Sequence, residues 1–464
     1  MRRPRASPEG IPIPRSAVLV LIAALAPGCA GPAPPPPGAP LPPGPAGPPG
    51  AAASDGPIDE RARALRLLGE GDLRLEDALR VADLLEPTLA AERRNIDLAA
   101  AASLEARLYP NPSLTAEVEE YHPDDGSTLG RANRTVGLSI PLVVSGRLGA
   151  AAAVADKEGE IAALEYLAKR AEVFAAVRRA FLELLAAREA AALARESRTI
   201  AAGLHDAARE RLDAGVIPET EHLKAAVDLA KADAEVRQAE RDVARAARAL
   251  SSAMGDPELP ERRLAGALAP DFVPPDDAAL RRALEESHPR IRAAERRRES
   301  AALSVDLARS ERYADLEFEI EGGLDADDRE IITAGIRVPL PLFDPSRPRI
   351  AAAEARTAQS RHRERATRNE LVLALGAARR EFDAARDRVQ SFDREILPRA
   401  RKALDQTREG WAAGRFGQLD LLDARRTLAE ALGARLAAVL DLNLAVAELE
   451  SLSGVVVAPA PGKE

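Results

Sequence analysis

The body of this chain is written twice. Gly137–Leu142 reads G-L-S-I-P-L and Gly335–Leu340 reads G-I-R-V-P-L. The surroundings repeat with them: Glu86-Pro87 answers His288-Pro289, and Arg178–Phe181 answers Arg379–Phe382. Leu212–Ala225 answers Trp411–Ala424, and Leu250–Gly255 answers Leu449–Gly454, all at offsets of 198 to 202 residues. A near-constant offset over that length marks tandem copies of one structural unit. Copy one is read as residues 72–255 and copy two as 276–454, with a linker at 256–275 and a tail at 455–464.

Each copy has the same internal order. A helix comes first, near Leu75–Leu108 and Asp276–Arg312, with Asp72 and Asp276 placed to accept from the first free amides. Period-two alternation follows: Leu114, Ala116 and Val118 against Glu117 and Glu119, then Leu316, Phe318 and Ile320 against Glu317, Glu319 and Glu321. That is the pattern of a strand with one apolar and one acidic face. After loops at His122–Gly130 and Gly322–Asp328, a second strand runs into the repeated phrase. Each copy thus holds one hairpin. Proline lacks the amide that continues a ladder, so Gly137 with Pro141, and Gly335 with Pro339 and Pro341, read as strand-end motifs.

Very long helices begin near Gly146 and Pro348. Leu167, Phe174 and Phe181 recur every seven residues, as do Leu375, Phe382, Val389 and Ile396, which predicts coiled-coil packing. About 65 helical residues reach roughly 100 Å. The helices break at Gly215–Pro218 and Gly414–Gly417 and return. Alanine-rich composition, 3% aromatics and 30% charged residues suit closely approaching helices rather than a thick globular interior.

Four strands cannot close a barrel, and in lipid every backbone group must be paired. Three copies of the chain would supply twelve strands, with the apolar face toward lipid and the acidic face toward a wet lumen. The expected fold is therefore mostly α, with a membrane β-barrel part built by trimerisation. The expected strand length is about nine to eleven residues, as a bilayer requires.

The N-terminus reads as an export signal over residues 1–28: four arginines, then the ten-residue apolar run Ala17–Ala26. Leu25–Cys29 resembles a bacterial lipoprotein signal, in which Cys29 is acylated; plain secretion with Cys29 idle is the other reading. Residues 29–71 are read as anchor and tether, because Ala30–Pro57 carries 12 prolines in 28 residues.

The order helix–hairpin–long helix–turn–helix, twice over, resembles the TolC-type outer-membrane efflux protein family from about Asp72 to Gly454. The phrases that carry the likeness are Leu73–Ala82, the two strand-end motifs, Leu212–Ala225 and Ala412–Ala424. Val338–Arg349, with its P-L-P-L-F-D, is similar to the cobalt–zinc–cadmium resistance branch, although Pro345-Ser346-Arg347 departs from that branch's usual continuation. The resemblance implies a homotrimer whose β-barrel, in outer-membrane lipid, is continuous with a long periplasmic α-helical barrel. It also implies a periplasmic adaptor and an inner-membrane pump as partners, and a passive duct for heavy-metal cations. General drug or organic-compound efflux and type I secretion are the alternatives within the family. A periplasmic adaptor or a coiled-coil scaffold lipoprotein is the alternative outside it.

By the family pattern the two breaks lie at the periplasmic tip, so Gly215, Pro218, Gly414 and Gly417 would shape the turns that meet the adaptor. Asp420 and Asp423, with Glu221 in copy one, would form a gate. Solvated helix charges, with Asp420 capping its helix, are the plainer reading. Glu117, Glu119, Glu317, Glu319 and Glu321 are read as lumen-facing and solvating. Arg178, Arg179, Arg379 and Arg380 are read as solvated or paired between helices, and Trp411 and Phe416 as packing the second turn. Nothing in the sequence presents a catalytic group, a cofactor loop or a spaced set of metal ligands. The single cysteine and five scattered histidines add none, and a formal charge of -9 disfavours nucleic acid. No enzyme activity, cofactor or resident metal is expected.

Overall fold

The computed structural model describes residues 57–69, 71–119, 132–273, 275–325, 327, 329–340, 346–413 and 415–459. The export signal, Cys29, the proline-rich stretch before Pro57, the first hairpin loop, Pro341, Gly414 and the last five residues lie outside them. The chain divides into two compact units. One is built on residues 105–152 and 304–352 and holds the strands; the other is built on 55–104, 153–303 and 353–464 and holds the helical core.

The sheet unit contains β1 (Ser113–Glu119), β2 (Asn133–Leu142), β3 (Leu316–Leu324) and β4 (Glu330–Arg337), antiparallel in the order β1-β2-β3-β4. The two hairpins are therefore stitched together by β2 and β3. The register puts Leu114, Leu138, Ile320 and Ala334 in one cross-strand row and Ser113, Ser139, Glu319 and Gly335 in the next. Period-two geometry then sends Leu114, Leu138, Ile320 and the residues two apart from them to one face and Glu117, Glu317, Glu319 and Glu321 to the other. Ile331 falls on the acidic face, and Arg134 and Glu330 at the end of the apolar one. At 10 and 9 residues β2 and β3 have the expected length, whereas β1 and β4, at 7 and 8, fall short of it. Pro141 does not end its strand: β2 continues to Leu142, with Pro141 opposite Glu317. In copy two β4 does stop at Arg337, before Pro339. Gly322 belongs to β3 rather than to the following loop.

In the helical unit the structure splits the first helix of each copy in two. After α1 (Pro57–Leu68), which precedes copy one, the pieces are α2 (Leu75–Leu85) and α3 (Pro87–Glu105) and, in copy two, α6 (Asp277–Ser287) and α7 (Pro289–Ser310). Glu86 and His288 precede proline and are held extended, because the ring clashes with a helical residue before it. Each then starts the next helix. Glu86 Oε2 accepts from the amides of Thr88 and Leu89 at 2.7 and 3.0 Å, and His288 Nδ1 accepts from Arg290 N at 3.2 Å. Burial, with Arg290 nearby, lowers the His288 pKa, which keeps that nitrogen free to accept. Asp276 caps α6 as expected, accepting from Ala278 and Ala279. Asp72 caps nothing; Leu73 instead bridges to Leu264, and α2 begins after Arg74.

The long helix of copy one, α4 (Arg147–Asp213), spans 67 residues and returns as α5 (Glu219–Ala253). Val177, Phe181 and Leu184 are buried along its seam, whereas Leu167 is exposed and lies off it. Copy two runs α8 (Arg347–Ser391), a π-turn at Phe392–Ile396, α9 (Leu397–Ala412) and the return helix α10 (Gln418–Ser453). The π-turn corrects the expected heptad. Leu375, Phe382 and Val389 are buried, but the next buried residue is Leu397, while Ile396 is 42% exposed. Pro398 lacks an amide, so the helix inserts one residue ahead of it, with Leu397 N bonding Phe392 O, and the seam moves on by one.

The linker and the tail are parts of the core. Leu259, Leu268, Phe272 and Val457 are buried in the same cluster as Leu89, Leu284, Phe382 and Leu449, and Phe272 bridges to Pro459. The stretch read as tether includes α1, whose Ala64 and Leu68 are buried. Gly255 closes copy one. Its φ is +94°, and a Cβ there would lie 2.6 Å from the backbone of Leu85 and Glu86. The break between α2 and α3 thus fits against the end of α5 only because a side chain is missing. Gly255→Val is expected to cost at least about 2 kcal/mol, from strained φ plus a backbone clash, read as a lowered midpoint in thermal unfolding of the purified protein. An unchanged midpoint would remove this account of the packing.

Candidate functional site: an acidic sheet face and two helical turns

Among the described residues nothing fully covers the sheet's apolar face. Leu114 is 70% exposed, Ile332 66% and Ile336 64%. Among the described residues no helix is long and apolar enough to cross a membrane. The sheet's outer edges, β1 and β4, take no further strand within the described residues. Exposed edges and an exposed apolar face are costly in water.

On the opposite face Glu117, Glu319, Glu321 and Glu317 lie in neighbouring rows. Arg337, which the sequence reading missed, ties two of them: it reaches Glu317 at 2.9 Å and Glu319 at 2.7 Å. Gly137 sits under two of these polar side chains, and a Cβ there would approach Glu321 Cγ and Thr115 Oγ1 to 2.7 Å. Its glycine makes room for the acidic face. Gly335, in the second copy, has open space around it.

At the first turn, Gly215 adopts φ +70°. Its amide bonds Leu212 O at 2.8 Å and the Val216 amide bonds Arg211 O at 2.9 Å, a Schellman closure that needs a left-handed residue. Pro218, in extended conformation, precedes α5. Glu219 and Glu221 lie in that helix's first turn, where the partial positive charge favours carboxylates. Ile217 packs with Ala208 and Ala225 in a small separate core.

At the second turn, Asp420 Oδ2 accepts from Gly417 N at 2.9 Å, so Asp420 caps its own helix. Asp420 and Asp423 are both exposed, while Leu421 between them is buried. Three residues apart, the two carboxylates share a helical face. Close by, burial and the neighbouring Arg408 lower the Arg425 pKa. Phe416 lies against Gly410, whose missing Cβ leaves space for the ring. Arg211 stands over the Trp411 ring at 5.8 Å, linking the two long helices near their turns. Of the arginines singled out, Arg178 pairs with Glu450, and Arg379 pairs with Asp277 at 2.7 Å.

One pairing escaped the sequence reading altogether. His205 on α4 and His222 on α5 bring their rings to 5.0 Å, tilted by 38°. They lie ten residues before and seven after Gly215, so folding the chain back at that glycine would have suggested it.

Comparison with known proteins fits this arrangement. The family model described as outer membrane efflux protein matches residues 80–256 and 280–455. The chain belongs to the outer membrane efflux protein family. The two matched segments fall on the two copies, and membership places this efflux protein at the outer membrane. The cobalt-zinc-cadmium resistance protein CzcC of Cupriavidus metallidurans is 29% identical over 364 residues, which is 78% of this chain and 85% of CzcC. Among solved structures, CusC, described for its transmembrane channel formation, aligns with a TM-score of 0.70 at 16% identity, covering 83% of this chain and 93% of CusC. The outer membrane protein VceC of Vibrio cholerae aligns at 0.66 and 17% identity, covering 82% and 96%. Both share this efflux protein's fold.

Proposed function

We propose that this efflux protein is the outer-membrane duct of a tripartite machine that expels transition-metal cations. The relation to CzcC along 78% of the chain carries the choice of cargo. Three copies close the barrel, with β1 of one chain pairing with β4 of the next and twelve strands in all. The apolar face then meets lipid and the five glutamates line water. The duct has no motor of its own; a periplasmic adaptor meets the turns at Gly215–Pro218 and at Arg415–Gly417, and an inner-membrane pump supplies the energy. An acylated Cys29 holds the N-terminus in the same membrane, which a mass spectrum of the mature N-terminal peptide checks: an unmodified cysteine excludes the anchor.

The cargo is tested by deletion. A strain lacking the gene is expected to grow poorly on zinc, cobalt or cadmium salts while keeping its tolerance of dyes and antibiotics, with growth restored by the wild-type gene. Sensitivity confined to organic compounds would move the duct to drug efflux.

A further inference from the structure

We propose that His205 and His222 form a binding site for an imidazole-preferring divalent cation such as Zn²⁺ or Co²⁺. The ion would clamp α4 to α5 beside the first helical turn. The site stands on its own geometry and does not depend on the cargo assigned above.

The spacing fits a shared ion. With Zn–N at about 2.0–2.1 Å and tetrahedral angles, two imidazoles on one zinc have ring centres about 5 Å apart. The observed separation is 5.0 Å. The first ring has a carboxylate beside it. His205 Nδ1 lies 3.3 Å from Asp206 Oδ1. With Nδ1 donating to that carboxylate oxygen, Nε2 would keep its lone pair for an ion. A histidine held this way by a carboxylate is the usual arrangement behind a metal-binding imidazole. The second ring has an unused nitrogen: His222 Nδ1 is buried and takes part in no hydrogen bond. A buried polar atom without a partner costs free energy, and a cation ligated by Nδ1 itself would offset it.

Position gives the ion something to do. Along the same hairpin, Arg195 pairs with Glu240 at 3.0 Å and Arg198 with Asp233 at 2.8 Å, each joining α4 to α5. The two histidines are the next rung toward the turn. Among the described residues no group of three or more His, Cys, Asp and Glu side chains could hold a metal. The proposed site takes its two protein ligands from these histidines, with water completing the shell. Such a site exchanges its ion readily, unlike a closed four-ligand structural site.

The test uses full-length protein purified in detergent and titrated with zinc chloride, and with cobalt chloride followed by its visible absorption. Uptake of one ion per chain is expected at this site. His205→Asn and His222→Asn should each weaken it at least tenfold, and Asp206→Asn should weaken it less. His362→Asn, on α8, should leave it unchanged. In the unmutated protein, zinc should also slow amide hydrogen exchange around residues 205–222, a readout that needs no variant to fold. No uptake, affinity unchanged in both histidine variants, or slowed exchange confined to other segments would overturn the site. All of these are measured on isolated protein, so their failure leaves the export function standing, and a deletion strain that keeps its metal resistance leaves the site standing.

Discussion

Replacing Ile320 with arginine is expected to empty the outer membrane of this protein, while Ser139→Arg leaves it in place. Ile320 lies in the row Leu114–Leu138–Ile320–Ala334, in the middle of the apolar face. Arginine on the lipid side of a barrel near the bilayer midplane costs about 2–4 kcal/mol per position. Three chains would incur it three times in one barrel, against a total stability of about 5–15 kcal/mol for an ordinary domain. Ser139 lies one residue away in register, opposite Glu319 on the polar face. There an arginine points to water and finds a carboxylate. The measurement is the amount of protein in the outer-membrane fraction. Equal tolerance or equal loss at the two positions would contradict the assignment of faces.

That contrast was legible in the sequence because a strand's period is two. Alternation at Leu114–Glu119 and Leu316–Glu321 fixed which residues share a face before any register was known. The duplication likewise exposed the helical hairpins and their turns. What escaped had non-local causes. The heptad running through Val389 predicts Ile396 as the next core residue, but Pro398 forces a π-turn and Leu397 takes the place. The linker and tail look like connectors by composition, yet Leu268, Phe272 and Val457 are buried by contacts with helices far off in sequence. Arg337 was invisible as a partner until pairing set it opposite Glu317. The two histidines looked scattered because 17 residues of hairpin separate them.

The double substitution Asp420→Asn, Asp423→Asn is expected to raise single-channel conductance in planar bilayers and to weaken block by divalent cations. Both carboxylates are exposed on one face of α10. A three-fold axis would bring six of them around one opening. Two unit charges about 8 Å apart at an effective dielectric of about 20 repel by about 2 kcal/mol. Such a ring would close comfortably only with cations among its members, and those cations would obstruct the pore. Removing the charges would then remove both the repulsion and the bound ions. Asparagine is the right replacement because its side-chain oxygen can still accept from Gly417 N, as Asp420 does at 2.9 Å. The cap survives, and the loss of a carboxylate near a helix N-terminus costs only about 0.3–1 kcal/mol. A change in current therefore reports charge and not unfolding. Glu221→Gln in copy one should act in the same direction but less, since that side chain is half-buried beside its turn. Currents and divalent block identical to those of the unmutated channel would make Asp420 a helix cap and Asp423 a solvated surface charge, and would place the constriction elsewhere along the duct.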